Sequence, residues 1–306
     1  MSDEREAILV TGAAGFIGSK LTKALLERGD KVIATDVAPP RQAPETEFYV
    51  ADVRDITRHA PVIATRCKAI VHCGGISGPM LLGDNPGEVL DINIRGTSQL
   101  LSVAAASSIA RFVGLSSVSA YGHTPGLDLV DETAPLTAST FYGSSKAAAD
   151  LILQTYAEKC GLSAVALRIG WVYGPGRMTD ALIQPIVRSA AEGPYRLDAG
   201  ADHRLQFVHV DDVVAAIICS LEAAVPRRVA FNINGAETVR VEEMLATIAA
   251  QMPTVRARIG GGSLPGADIQ GRMLLDAAAA ELGWAPQISF SDGLHAYVEW
   301  LQSNPY

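Results

Sequence analysis

A doubly wound α/β sheet with a smaller C-terminal lobe is the fold that this sequence predicts. Three observations lead there. The first half of the chain alternates short β-rich runs with helix-patterned segments. A glycine-rich turn joins the first of those runs to the first helix. Past Gly170 the alternation gives way to loops and scattered helices.

The elements follow in order. Ile8–Thr11 reads as a first strand, and Ile17, Leu21 and Leu25 recur at helical spacing behind it, with Gly29 placed as a C-cap. Lys31–Thr35, Phe48–Val50, Ala69–Cys73 and Phe112–Leu115 read as further strands. A helix is expected near Ser144–Cys160, then a strand at Ala164–Ile169. Strands separated by helices pair in parallel through right-handed crossovers, which gives a doubly wound sheet. Gly174, Pro175 and Gly176 mark a loop. Phe207–Val210 and Phe231–Ile233 read as strands, with Asp211 or Asp212 capping a helix that runs to Ala223. Helical patterns return at Val241–Gln251, Asp276–Leu282 and Leu294–Leu301, and Trp284 and Trp300 are expected in the packing of the lobe. The expected organisation is a nucleotide-binding domain over 1–170, to which segments near 207–235 return, and a mainly substrate-binding lobe over 171–306.

The chain has 306 residues and a formal charge of −8. That length suffices for a large core. The acidic balance argues against nucleic acid or an anionic membrane as partner. Cys67, Cys73, Cys160 and Cys219 are scattered without a C-x-x-C pair, which fits free thiols in a reducing compartment rather than disulfides. No metal site is expected, since His72 and His209 lie in apolar strands with no ligand spacing around them. No secretory leader or membrane span is read, so the cytoplasm is the expected location. The expected partner is a small-molecule substrate, and a homodimer is left open.

Thr11-Gly12-Ala13-Ala14-Gly15-Phe16-Ile17-Gly18 lies between the first strand and the first helix. In that context Gly12 allows the tight turn, Gly15 the approach of a pyrophosphate, and Gly18 close helix–strand packing. The helix N-terminus supplies N–H donors and partial positive charge for phosphates. Asp36 follows the second strand, where a carboxylate accepts both ribose hydroxyls of NAD and repels a 2′-phosphate. Arg41, nearby, keeps NADP in view. Asp52-Val53 follows the third strand, where an acid can hold the adenine amino group.

Tyr142-Gly143-Ser144-Ser145-Lys146 sets a phenol and an ammonium four apart, on one helix face. A phenol of pKa near 10 is a poor base at neutral pH, and adjacent positive charge favours its phenolate. Tyr142 could then take a hydroxyl proton as hydride leaves the carbon. A serine donor to the reacting oxygen would complete the site, and Ser116, Ser117 and Ser119 stand just after a strand.

These residues carry a resemblance to the extended short-chain dehydrogenase/reductases, also called the NAD-dependent epimerase/dehydratase family. It rests on TGAAGFIG at 11–18, Asp36, ADV at 51–53, HCGGIS at 72–77, NIRGT at 93–97, SSVSAYG at 116–122, YGSSK at 142–146, LRIGWVYGPG at 167–176, FVHVDDV at 207–213 and ELGW at 281–284. The resemblance implies a Rossmann-type fold, NAD as cofactor, and Ser117, Tyr142 and Lys146 as the catalytic set. It implies that Asn93 supports the helix carrying Tyr142, that Gly74 lies against the cofactor, and that Lys146 binds nicotinamide ribose. The expected cofactor-binding set is Gly12, Gly15, Phe16, Ile17, Gly18, Asp36, Asp52, Val53, Gly74, Asn93, Tyr142 and Lys146.

Three positions depart from the family's pattern. Trp171 stands where an asparagine belongs, and Leu205 and Leu264 stand where arginines do. Losing those partners weakens the grip on a diphosphate. Gly74–Ser77, and Arg168-Ile169-Gly170 followed by Arg177-Met178, resemble uronate dehydrogenases. That second resemblance adds Ser77, and Arg177 for a carboxylate, to Ser117 as substrate-binding residues. The expected function is hydride transfer to NAD from a secondary hydroxyl of a small sugar acid or polyhydroxy compound. The alternative is an NAD-dependent nucleotide-sugar epimerase, similar to a UDP-glucose 4-epimerase. A non-catalytic dinucleotide sensor would need only the glycine loop. A dehydratase is disfavoured because SSVSAYG lacks the acidic pair of the family's dehydratases.

Overall fold

The computed structural model describes residues 5–40, 45–78, 84–177, 179–180 and 182–304. Arg41 and Met178, named above, fall outside that set.

Seven strands form the central sheet: β1 (Ala7–Thr11), β2 (Val32–Asp36), β3 (Glu47–Val50), β4 (Cys67–His72), β5 (Arg111–Ser117), β6 (Ala164–Ile169) and β7 (Ala230–Ile233). Their order is β7-β6-β5-β4-β1-β2-β3, and every pairing is parallel. The chain grows outwards from β1 to β3, then starts again beside β1 with β4. That reversal opens a crevice at the carboxyl ends of β1 and β4, the position where open parallel sheets bind ligands.

Both faces of the sheet are covered, so its central strands are apolar throughout rather than alternating. On one face Ile8, Val10 and Val71 pack against Leu21 and Leu25 of α1 (Phe16–Glu27) and Val213 and Ile217 of α4 (Val210–Glu222). On the other, Leu9, Ile70 and Phe112 meet Leu100 and Leu101 of α2 (Gly96–Ala106) and Leu153 of α3 (Phe141–Cys160). Each fully buried side chain of this kind contributes about 1.5–3 kcal/mol relative to exposure.

After β6 the chain leaves the sheet and comes back as β7. Between them Trp171–Tyr173 pairs in parallel with Phe207–His209, and Arg204–Leu205 pairs antiparallel with Val239–Arg240. Those segments, with helices Ile183–Glu192, Val241–Gln251 and Phe290–Ser303, enclose a second core that includes Tyr173, Ile186, Phe207, Met244, Leu294 and Tyr297. This is the C-terminal lobe.

Three details differ from the sequence reading. Phe207–His209 joins Trp171–Tyr173 and not the central sheet, because the chain turns into α4 immediately after it. The N-cap of α4 is His209, whose Nδ1 accepts from Asp211 N at 3.3 Å; Asp211 and Asp212 lie inside the first turn. Asp212 instead accepts from the backbone of Gln287 (3.0 Å) and Ile288 (3.1 Å). Trp284 is buried with Ala278 and Leu282 against the central sheet's core, not in the lobe, and its indole N–H donates to Asp212 O at 3.0 Å. Among the described residues no helix is long and apolar enough to cross a membrane.

Candidate active site

The glycine loop leaves β1 at the crevice. Gly12 has φ +68°, a left-handed conformation, and a Cβ there would sit 2.5 Å from Gly74 N on the loop after β4. A Cβ on Gly18 would meet Gly12 O at 2.1 Å. Any side chain at either position would push α1 or the β4 loop out of the crevice. Gly15 is the N-cap of α1 and supplies no side-chain acceptor, and no acidic residue follows in the first turn. The first N–H groups of α1, from Phe16, Ile17 and Gly18, therefore have neither an intrahelical nor a capping partner. A bare backbone cradle facing a positive helix end fits the pyrophosphate of a dinucleotide.

Asp36 ends β2 beside this loop. Its Oδ2 accepts from Ala14 N at 3.0 Å and its Oδ1 from Val37 N at 2.7 Å. Each oxygen keeps a further lone pair, as two ribose hydroxyls require. Asp52 is held otherwise: Arg54 donates to it from Nη2 (2.6 Å) and Nε (3.0 Å), and from its own N–H. Those bonds lower the Asp52 pKa. The same guanidinium also reaches Glu88 and Asp91, so Asp52 serves a local ion cluster as well as the β3 end. Val53, next to it, is buried, and a Cβ on Gly74 would lie 3.2 Å from its methyl.

Behind Gly74 runs a chain of buried hydrogen bonds whose directions are fixed. The Thr97 hydroxyl donates to Asn93 O (2.6 Å), so its oxygen accepts from His72 Nε2–H (3.1 Å). His72 Nδ1 then lacks a proton and accepts from the Thr11 hydroxyl (2.8 Å), whose oxygen accepts from Gly74 N (3.3 Å). Burial, with a smaller contribution from Lys146, pushes the His72 pKa down to about 3. The unfolded ring titrates near 6.5. With the folded value below the unfolded one, the neutral ring's contribution is complete above pH 6.5 and is lost as pH falls from there toward 3. Stability is expected to drop by on the order of 4 kcal/mol across that window from this group. His72→Gln, neutral at every pH, should show a correspondingly shallower fall in urea midpoints measured between pH 7 and pH 4; equal slopes would refute the assignment.

The catalytic candidates meet at the ends of β5 and α3. Ser117 closes β5, is buried, and accepts from Ser119 N at 3.2 Å. Tyr142 is in the first turn of α3, whose N-cap Thr140 accepts from Gly143 N at 3.0 Å. A Cβ on Gly143 would stand 2.4 Å from Ser119 O, so the start of α3 lies directly on the turn that follows Ser117. Lys146 donates to Leu115 O at 2.9 Å, and its Nζ is 5.8 Å from the centre of the Tyr142 ring. It therefore ties the tyrosine's helix to the serine's strand. Asn93 sits in a short π-helical turn, Asp91–Arg95, and its amide bonds Ile76 N (2.8 Å), Ile76 O (3.1 Å) and Ser145 Oγ (2.9 Å). It links the β4 loop to α3.

A family model described as the NAD dependent epimerase/dehydratase family matches residues 8–234. The chain belongs to that family. Its relatives include a dTDP-glucose 4,6-dehydratase of Streptomyces niveus, 29% identical over 97% of this chain and 93% of that one. A UDP-glucuronate 4-epimerase of Thermodesulfobacterium geofontis is 26% identical over 97% and 96%. Among solved structures, MoeE5 in complex with UDP-glucuronic acid and NAD superposes with a TM-score of 0.88 at 26% identity, covering 97% of this chain and 99% of that one. Members of the family are NAD-dependent enzymes acting on sugars, and NAD is the cofactor.

Other site residues take up positions that the family motifs alone do not reveal. Arg168 and Asp150, 6% and 5% exposed, form an ion pair at 2.8 Å between β6 and α3. Arg168 also donates to Tyr121 Oη (2.8 Å) and Glu132 O (3.0 Å), and Tyr121 donates to Asn232 Oδ1 (2.8 Å). The motif positions thus interlock behind Ser117 and Lys146. Ser77 is exposed in the β4 loop. Arg177 folds back to donate to Val172 O, and its buried Nε has no partner among the described residues. Among the described residues no hydrogen bond or ion pair brings Arg177 to Ser117 or Tyr142. Trp171, Leu205 and Leu264, at three positions where the family pattern has polar residues, all pack in the apolar core of the lobe.

Proposed function

We propose that this enzyme oxidises a secondary hydroxyl of a sugar ring at Tyr142 and completes an epimerase cycle. The observation that carries the reading is the Lys146 bridge, which faces Tyr142 in the first turn of α3 and bonds Leu115 O on the strand that ends at Ser117. Tyr142 takes the hydroxyl proton, Lys146 faces its ring, and Ser117 donates to the reacting oxygen. NAD, when bound, would supply the hydride acceptor for this oxidation, reversibly in an epimerase and with net reduction in a dehydrogenase. The glycine loop and α1 would hold its pyrophosphate and Asp36 its ribose. The lobe over 171–306 would close the substrate side. Full-length similarity to a UDP-glucuronate 4-epimerase supports this reading. So does the sequence after Ser117: Val118 and Ser119 offer no carboxylate for the elimination that a dehydratase performs.

A second reading is favoured by the apolar set of Trp171, Leu205 and Leu264. With no cation at those positions a diphosphate loses its charge-assisted bonds. The same oxidation would then act on a free sugar acid and release NADH, with Ser77 and Arg177 on the substrate side. Two measurements separate the readings. Micromolar UDP-glucose should raise the melting temperature of an epimerase, since a ligand bound only to the fold stabilises it by mass action. Galacturonate with NAD should raise absorbance at 340 nm only for a dehydrogenase. Dinucleotide binding with neither response would leave a sensor and overturn both.

A further inference from the structure

The C-terminal lobe reaches the catalytic turn through the segment Leu264–Met273. Its first residue packs in the lobe's core, where a Cβ on Gly200 would lie 2.5 Å from a Leu264 methyl. Its last residue is buried and bonded on both backbone groups to Gln206: Met273 N donates to Oε1 at 2.9 Å, and Nε2 donates to Met273 O at 3.4 Å. Between these anchors the segment is laced to the connection that runs from Ser117 to Tyr142.

The lacing is dense. Gln270 Nε2 donates to Val118 O (2.8 Å) and to Gly122 O (2.9 Å), clamping both ends of the turn that follows Ser117. Asp268 accepts from Ser139 Oγ at 2.5 Å, three residues before Tyr142, and lies 3.5 Å from His123 Nε2. Ile269 N donates to His123 Nδ1 (3.0 Å), Thr124 N to Ile269 O (3.1 Å), and Gly271 N to Thr124 Oγ1 (2.8 Å). Arg272–Met273 then pairs with Leu129–Val130. The connection itself has only a short 3₁₀ turn at Val118–Ala120 and that two-residue strand, so its shape depends on these bonds.

We propose that Leu264–Met273 is a brace through which the lobe sets the spacing of Ser117 and Tyr142, and that Gln270 is its positioning residue. The proposal rests on the catalytic roles given to Ser117 and Tyr142 above. The Gln270 amide bonds two backbone carbonyls and not the side chains of Ser117 or Tyr142. It acts by fixing the backbone that carries the serine against the start of α3. A displacement near 1 Å of a catalytic group costs about 10²-fold in rate. Lobe packing is thereby coupled to kcat.

The test uses Gln270→Ala and Gln270→Glu. The glutamate keeps the shape and offers acceptors to two carbonyls that need a donor. Both variants should show faster amide exchange at residues 118–122 with α3 unchanged. NAD-bound crystals should show an altered separation of Ser117 Oγ and Tyr142 Oη. With UDP-glucose and galacturonate as probes, kcat should fall about 10–100-fold, with KM and NAD affinity within about twofold of wild type. An unchanged separation, unchanged exchange, or wild-type kcat would overturn the brace. If the wild-type protein turns over neither probe, the functional reading fails instead, and exchange and separation alone decide the brace.

Discussion

Tyr142→Phe is expected to lower kcat by about 10²-fold or more while leaving NAD affinity unchanged. The substitution removes one oxygen and keeps the ring, so α3 and its packing on Ser119 survive. What is lost is the group that takes the substrate's proton, and Ser117 cannot replace it because a neutral hydroxyl is a far weaker base. Lys146→Ala should damage both kcat and NAD binding. Lys146 secures Leu115 O as well as facing the tyrosine, and resemblance assigns it to the nicotinamide ribose. Steady-state kinetics and titration calorimetry on the two variants separate the effects. Wild-type turnover in Tyr142→Phe, with chemistry rate-limiting, would remove Tyr142 from its role.

Arg168→Met should destabilise the fold by about 3–5 kcal/mol, the cost of stranding one member of a buried ion pair. Asp150 would be left in the interior, where burial already pushes its carboxyl above the ordinary value against the pull of Arg168. Tyr121 Oη and Glu132 O would each lose a donor as well. The double variant Arg168→Met/Asp150→Leu should recover much of the loss, because no uncompensated charge remains. Urea unfolding of the two single variants and the double measures this. A single variant within 1 kcal/mol of wild type would show that the pair contributes little.

The sheet and the cofactor loop were legible because their signals are local. Gly12, Gly15 and Gly18 have fixed spacing between an apolar strand and an amphipathic helix, and that spacing alone identifies the turn. Tyr142 and Lys146 are one helical turn apart, so their meeting follows from sequence spacing alone. Other features depend on partners distant in the chain. Trp284 reads as lobe packing because its sequence neighbours are helical, yet its burial is set by Asp212 and the central sheet. Asp211 or Asp212 reads as a cap by residue type, while the ring of His209 is the acceptor that caps. Trp171, Leu205 and Leu264 read as three separate lost contacts; their common core is visible only once the lobe is folded. Gln270 carries no signal at all, since an amide between Ile269 and Gly271 has no meaning until Val118 and Gly122 lie across from it.

The late return of β7 also fixes what the protein can do while it is being made. Synthesis proceeds at about 5–20 residues per second, so seconds pass between completion of β6 and the emergence of Ala230–Ile233. Through that interval the strands and glycines that line the crevice between β1 and β4 are already synthesised. The neighbour of β6 has not arrived, and an open strand edge offers its unpaired N–H and C=O groups to other chains. Residues 264–273 are still unmade, so the segment that bonds the turn after Ser117 arrives long after the cofactor loop. Bound dinucleotide would favour the folded half by mass action and shorten the time that β6 stands exposed to aggregation.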